Sequence, residues 1–534
     1  MRDGVHLSSD LFLPEGDGPF PCIVGRTPYN KNQAMYPKLA DAWNRRGYAL
    51  APQDVRGRGD SDGVFTPYRN DPNDGHDYIE WVASQPWCDG TVVIQGGSYG
   101  GRIGWLTALT QPPHLRAMIL SVSPSDPFVE FPTCGESLMT LSWFRLTDGR
   151  MTQRVDGIDW MRVYDHLPLV TMDEAAGFRS EHWRETMRHT VRDDHWEPLR
   201  YQHRFNEVDL PVLHISGWYD DEQIGTPLNF AGMVQHAPSE SARRAQRLLM
   251  GPWGHAVNAG RMLGEVDFGA EAVIDLEGYM ADWLDGVLGK RESREQQARI
   301  FVMGVNQWRS EDIWPPAGTR FSDWYLRSGG RAQSRYGDGT LSLEAPPQHE
   351  PADAFTYDPS RPVPFITPPE SAQIGGPDDY AAVEQRGDVL CYTTPALERP
   401  LTLIGPVRLR LFASSSAADT DFMAKLIDVH PSGFCQRLCD GAIRCRYRNG
   451  VDLAVLMDPG TVYELDIDVW NTAHVFLAGH RMRLEVASSA FPKFDRNLNT
   501  GEDIGTATRM VVAENTVWHD AAHASRLLLP VTSG

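Results

Sequence analysis

The stretch "VVIQGGSYGGRIGW", residues 92–105, constrains this chain more than any other. Three β-favouring residues, Val92, Val93 and Ile94, lead through Gln95 into Gly96-Gly97-Ser98-Tyr99-Gly100, and a segment with helical spacing follows at once. A serine in G-x-S-x-G between a strand and a helix fits a nucleophile elbow: the glycines admit close backbone, and the serine is held on a sharp turn with its hydroxyl exposed. With 48 glycines in 534 residues, the bare pattern arises by chance in roughly a quarter of such chains. Its setting therefore decides its meaning.

That setting is an alternation of strand and helix. Runs rich in Val, Ile and Leu begin at Pro21, Tyr48, Val92, Ala117, Pro211 and Arg247, and helical spacing lies between several of them, as in "DPNDGHDYIEWVASQ". Such alternation implies a parallel sheet covered on both faces. From about Asp126 to Phe205 the strand signals stop and Trp, Arg, His and Met become dense, with helical candidates in "GIDWMRVYDHL" and "FRSEHWRETMRH". Beyond Pro316 short alternating runs such as "VRLRLFASS" and "TVYELDIDVW" read as an all-β sandwich. The expected organisation is an α/β core over 1–125 and 206–318, a helical insertion over 126–205 and a β-sandwich over 319–534.

A serine hydroxyl needs a histidine to take its proton, and that histidine needs a carboxylate to fix its tautomer. In this architecture the order is serine, acid, histidine, each on a loop at the carboxyl end of a strand. After the insertion, "PVLHIS" leads into "GWYDDEQIG" with Asp220 and Asp221, and "RLLM" leads into "GPWGHA" with His255. Pattern alone does not separate Asp220 from Asp221.

Composition narrows the alternatives. A formal net charge of −21 with no basic cluster argues against a nucleic-acid partner or an anionic membrane surface. No apolar run reaches the length of a membrane span, and "MRDGVHLSSDLFLPEG" lacks a signal-peptide profile, so a cytoplasmic location is expected. Seven sparse cysteines fit reduced thiols, and Cys435, Cys439 and Cys445 lack zinc-ligand spacing and read as small residues on buried strands. "VRGRGDSDG" has Asp62 where a dinucleotide loop has its third glycine, and reads as a turn. "HTVRDDHWE", with His189, Asp193, Asp194 and His195, has no HExxH spacing; capping and cap-to-core hydrogen bonding are expected of it rather than a metal. No cofactor is implied.

Across nearly the whole chain the sequence resembles the cocaine esterase and NonD family of α/β-hydrolases, relatives of X-Pro dipeptidyl peptidases and α-amino acid ester hydrolases. The resemblance rests on "RTPYNK" at Arg26, "PQDVRGRGDSDG" at Pro52, "GGSYGG", "GWYD", "GPWGH", "FVMGVNQWR" at Phe301, "SSSAADTDFMAKLIDVHPSG" at Ser414 and "GHRMRLEVASSAFPKFDRNLNTG" at Gly479. It implies an α/β-hydrolase core, an inserted helical cap and a C-terminal jelly roll. It further implies Ser98 as nucleophile, Asp220 as orienting acid and His255 as general base, with an oxyanion hole made by the Tyr29 hydroxyl and the backbone N–H of Tyr99. The activity implied is hydrolysis of a small ester or amide through an acyl-enzyme, with acyl transfer and aminopeptidase-like action as variants. A non-catalytic binding protein is the rival from another class, disfavoured by the intact set Ser98, Asp220, His255 and Tyr29. The sequence is silent on oligomeric state, a homodimer being the assembly admitted.

Two departures bear on the substrate. In cocaine esterase the residue two beyond the catalytic Asp is an aromatic that helps hold a benzoyl group; here it is Glu222, and the "LLF" of that pocket's other wall has only the polar "TPPESAQ" region against it. A benzoyl preference is therefore not expected. In α-amino acid ester hydrolases the corresponding residue belongs to a carboxylate cluster that holds an ammonium group, but Gln223 follows here and no acid is evident for the third position, which leaves the cluster partial. Glu222, Trp143 and Trp218 are candidate substrate contacts; Trp160 and Trp183, like Trp143, are otherwise expected in the core of the cap.

Overall fold

A computed structural model describes residues 1–291, 296–368 and 375–532. Eight strands form one sheet: β1 (Phe20–Thr27), β2 (Ala49–Asp54), β3 (Cys88–Gly97), β4 (Leu115–Ser121), β5 (Val212–Gly217), β6 (Arg247–Gly251) and, after the two-residue β7 (Met262–Leu263) and β8 (Val266–Asp267), β9 (Ala298–Val302) and β10 (Gln307–Glu311). Their spatial order is β10-β9-β6-β5-β4-β3-β1-β2. All pairings are parallel except β10 on β9. The apolar runs of the sequence follow from this arrangement, and β2, β5 and β6 are buried at every position, their polar residues included.

Helices cover both faces. On one, α1 (Met35–Asn44) and α10 (Leu276–Val287) bring Trp43, Tyr279, Trp283 and Leu284 against Ile23, Val93 and Leu249. On the other, α2 (Asp71–Ala83) and α3 (Tyr99–Ala108) pack Tyr78, Ile79, Trp105 and Leu106 against Val24, Val92 and Met118. Pro72 stands in the first turn of α2, where its missing N–H costs nothing.

Between β4 and β5 the chain leaves the sheet and forms short helices, α4 (Thr140–Leu146), α5 (Trp160–Tyr164), α6 (Met172–Ala175) and α7 (Glu181–Thr186). They enclose a separate core of Trp160, Met172, Trp183 and Trp196, closed from the C-terminal part by Tyr447 and Phe491. Two helices, α8 (Gly225–His236) and α9 (Glu240–Arg244), then lie between β5 and β6.

The C-terminal part is antiparallel in nearly all its pairings. Its long strands are β15 (Leu401–Ser415), β16 (Asp421–Val429), β17 (Cys435–Arg444) and β18 (Tyr463–Phe476), numbered after β11 (Thr319–Arg327), β12 (Thr340–Ser342), β13 (Asp353–Tyr357) and β14 (Leu390–Thr393); β19 (Arg481–Ala487), β20 (Ala513–Trp518) and β21 (Arg526–Thr532) complete it. The strand order β13-β20-β15-β21-β11-β12-β14-β19-β16-β17, with β18 on β15, folds around one core. The fold is thus an α/β-hydrolase core with an inserted helical cap and a jelly-roll β domain. β16 departs from simple alternation: it is buried along its whole length. Its second face is covered by Val363, Phe365 and Tyr380, and its Lys425 pairs there with buried Glu485 at 3.5 Å. The cysteines are buried and unbridged. Among the described residues no helix is long and apolar enough to cross a membrane.

Candidate active site

Ser98 stands at the junction of β3 and α3 with φ +55° and ψ −123°. A non-glycine residue rarely adopts a positive φ, and such strain persists only where the surroundings over-determine it. Here Ser98 N donates to Ser121 O of β4 at 3.0 Å, and Arg102 N donates to Ser98 O at 3.1 Å. Gly96 is required by closeness: a Cβ there would lie 2.3 Å from Gly100 O. Tyr99 follows at the first helical position, where a backbone N–H has no intrahelical partner.

The next two strand ends are zipped together. Trp218 N donates to Gly251 O at 2.9 Å and Tyr219 N to Trp253 O at 3.0 Å. The fit depends on Gly217, whose Cβ would meet Trp253 O at 2.0 Å, and on Gly251, whose Cβ would meet the Trp253 ring at 2.3 Å, which accounts for the glycines heading "GWYD" and "GPWGH". His255 Nδ1 lies 2.8 Å from Asp220 Oδ1, and Ser216 Oγ donates to Asp220 Oδ2 at 2.6 Å. The Asp220 side chain is wholly buried. Asp221 approaches the same ring nitrogen at 3.1 Å but is a fifth exposed. Burial lowers the His255 pKa, yet Asp221 and Asp220 outweigh it and hold the imidazole well above its ordinary value of 6.5.

Ser98, His255, Tyr29, Asp221 and Glu222 all face one cavity of about 920 Å³ between the sheet and the cap. The Tyr29 hydroxyl opens on the same cavity as Ser98 and accepts from Trp143 Nε1 at 2.9 Å. Trp143 lines the same cavity. Trp218 does not: it is buried behind the site, its Nε1 donates to Phe301 O at 2.7 Å and its ring packs on Trp314. The strand-end glycine pairing turns it toward β9 instead, so it is no substrate contact. Trp160 and Trp183 lie in the cap core. Of "TPPESAQ", residues 369–373 fall outside the described residues.

The sequence leaves Glu222 without an evident third acid; the structure brings a second glutamate, Glu130, to the same cavity. It sits on the loop after β4. Its Oε1 accepts from Ser125 N at 2.5 Å, and burial, against the nearby Arg102 charge, pushes its carboxyl up to about 8. Burial likewise holds Glu222 well above the carboxylate range, with Glu130 and the two aspartates adding to the rise and His255 opposing it. Glu222 Oε2 is buried without a hydrogen-bond partner among the described residues. Arg102, one helical turn after Ser98, donates to Ser125 O and lies over the Tyr68 ring at 4.9 Å. The available signals were an acid at the carboxyl end of a strand and a cation four residues after the serine on one helix face.

The cap segment around His195 is tied to the core by Arg69 Nη2, which donates to His195 O at 2.6 Å, and Asp193 Oδ1 caps His195 N at 3.0 Å. Glu185, His189 and His195 bring ligand-type atoms within 4.8 Å of one another. Burial and the His189 and Arg69 charges depress His195 to about 4.

Two family models match the chain: X-Pro dipeptidyl-peptidase (S15 family) over residues 3–257, and the X-Pro dipeptidyl-peptidase C-terminal non-catalytic domain over residues 291–528. A cocaine esterase from Rhodococcus sp. (strain MB1 Bresler) is 34% identical over 99% of this chain and 97% of its own length. Among solved structures, an aminopeptidase from a marine sediment archaeon, Thaumarchaeota archaeon, superposes with a TM-score of 0.87 at 26% identity, covering 100% of this chain and 95% of the other. An α-amino acid ester hydrolase shares the fold with a TM-score of 0.87 at 23% identity, over 99% and 95% of the two chains. The chain therefore belongs to the cocaine esterase family of S15-type α/β-hydrolases and is a serine hydrolase of esters.

Proposed function

We propose that Ser98 attacks the ester carbonyl while His255 takes its proton, and that Asp220 holds the imidazole in the required tautomer and stabilises its charged form. The Tyr29 O–H and the Tyr99 N–H receive the developing oxyanion. Collapse of the tetrahedral intermediate returns the proton from His255 to the leaving alcohol and leaves an acyl-Ser98 ester, which a water deprotonated by His255 then cleaves. The observation that carries this reading is the strained Ser98 at the head of α3, opening on the same cavity as Tyr29 and the His255–Asp220 pair. An amine or alcohol in place of water gives acyl transfer through the same intermediate. On this reading the sheet, residues 1–125 and 206–318, supplies the reacting groups, while the cap over 126–205 and the β domain over 319–534 shape the pocket.

A small fluorophosphonate followed by intact mass tests it: one adduct on the wild type and none on Ser98→Ala is expected. An unlabelled wild type would return the binding-protein alternative.

A second reading concerns the acyl group. Glu130, Glu222 and the Arg102 guanidinium line one cavity and interact electrostatically there, and the buried Glu222 Oε2 lacks a hydrogen-bond donor among the described residues. A substrate ammonium supplies that donor and favours the ionised carboxylate, which points to amino-bearing acyl esters or amides. The likeness to an archaeal aminopeptidase supports the same class. Comparing hydrolysis of matched α-amino and neutral p-nitrophenyl esters tests it; equal rates would reject an ammonium subsite.

A further inference from the structure

The cap meets the core where Tyr29 is held. Trp143, on α4, donates its Nε1–H to the Tyr29 hydroxyl oxygen at 2.9 Å. That bond occupies a lone pair of the phenol and leaves its own proton free to donate into the cavity. The indole is itself fixed, stacked on Tyr99 with ring centroids 5.6 Å apart and edge-on to Phe144 at 5.3 Å. Immediately after α4 the chain grips the Tyr29 loop twice more. Thr152 Oγ1 donates to Tyr29 O at 3.2 Å. Arg58, wholly buried, donates through Nε to Pro28 O at 2.8 Å and through Nη1 to Thr147 O at 2.7 Å and to Gly149 O. Arg58 spends its donors on carbonyls, not on a carboxylate, and the carbonyls belong to the two segments that must keep register if Trp143 is to meet Tyr29. Gly59 N completes the lock by donating to Arg150 O at 2.8 Å.

We infer that the oxyanion hole is completed by the cap: Trp143 is a positioning residue that sets the Tyr29 O–H rotor toward the substrate oxygen, and Arg58 clamps the two segments that bring them together. The inference rests on the reading of Tyr29 as an oxyanion donor. It assigns a task to the "VRGRGDSDG" turn, which the catalytic residues leave without one, and gives Trp143 a role other than a passive wall.

A double-mutant cycle with p-nitrophenyl acetate separates the two ideas. Tyr29→Phe is expected to lower kcat by roughly 100-fold. Trp143→Phe, which keeps an aromatic ring but loses the N–H, is expected to lower kcat by roughly 10-fold with KM within about twofold of wild type. Added to Tyr29→Phe, the Trp143 change should cost nothing further. A Trp143→Phe loss of the same factor in the Tyr29→Phe background, or a rise in KM at unchanged kcat, would overturn the positioning role. A Tyr29→Phe enzyme with wild-type kcat would remove the oxyanion reading itself, and the cap inference with it. Affinity for an arylboronic acid, whose tetrahedral adduct places an oxygen in the hole, gives a second measure independent of turnover: about 10-fold weaker binding to Trp143→Phe is expected, and unchanged binding would count against the inference.

Discussion

Asp220 and His255 are steadied from behind by the sheet and the β domain, whereas Tyr29, beside Ser98, is steadied from above by the cap. On the first side Gln223 Nε2 donates to Asn471 O at 2.5 Å, and Gln436 Nε2 donates to the Tyr219 hydroxyl at 3.1 Å. Backbone bonds of 2.9 Å between Met303 and both Ala473 and Val475 tie the two domains beneath the same loop. On the second side the supports are Trp143, Thr152 and the Arg58 clamp. His255 and Asp220 thus sit on strand ends that pack against the β domain through a buried cluster with Trp218, Phe301 and Ala473, while Tyr29, the proposed oxyanion donor, leans on an insertion with its own core. Disturbance of the cap should therefore act on the transition state without moving the proton-transfer pair.

The largest effects belong to the sheet-borne groups. Ser98→Ala should cost about 10⁶-fold in kcat and Asp220→Asn about 10⁴-fold, measured with p-nitrophenyl esters. Asp221→Asn should keep kcat within about 10-fold, because Asp220 holds the shorter, more deeply buried bond to His255. Near-normal turnover in Asp220→Asn with collapse in Asp221→Asn would reverse the assignment. The pH profile sharpens this. His255 must be neutral to accept the Ser98 proton, and its raised pKa places the rise of kcat/KM with pH above 6.5. Asp221 contributes to that elevation, so Asp221→Asn should move the rise to lower pH; an unmoved profile would show that Asp221 does not act on His255.

Which of these supports was legible in the sequence follows from the same contrast. Strand-end groups announce themselves by local pattern: "GGSYGG", "GWYD" and "GPWGH" each carry glycines demanded by backbone approach, and Ser98, Asp220 and His255 follow them in chain order. The sheet itself was legible because apolar residues run together where its strands are covered on both faces, as at Val92, Val93 and Ile94 or at Leu248, Leu249 and Met250. Cap contacts are not local. Nothing in the residues around Trp143 says that its indole meets Tyr29, 114 positions earlier, and nothing in "VRGRGD" says that Arg58 lacks a carboxylate partner. Trp218 misled because its position next to the acid loop gives no hint that strand register turns its ring toward Phe301. Glu130 was missed because its pairing with Glu222 depends on the path of the loop that enters the cap.

The acyl pocket sharpens the comparison at smaller scale. Glu222→Gln removes a titratable carboxyl without changing shape, so it should lower the ratio of α-amino to neutral ester hydrolysis by about 10-fold and leave the neutral substrate nearly unaffected. A ratio unchanged in Glu222→Gln would mean that the buried Glu222 Oε2 is not where an ammonium binds.

The smallest catalytic effect should come from cutting a support on the His255 side. Gln223 is wholly buried and its amide spans to Asn471 O in β18. Gln223→Ala leaves that carbonyl unpaired and opens a void beside the acid loop, which should lower stability by about 2 kcal/mol. Because the zipped strand ends and the Ser216–Asp220 bond remain, kcat should fall only a few-fold, with the thermal midpoint in scanning calorimetry dropping by a few degrees. A Gln223→Ala enzyme as impaired in kcat as Trp143→Phe, at unchanged stability, would erase the proposed difference between the two halves, since both donors and base would then depend equally on their distant supports.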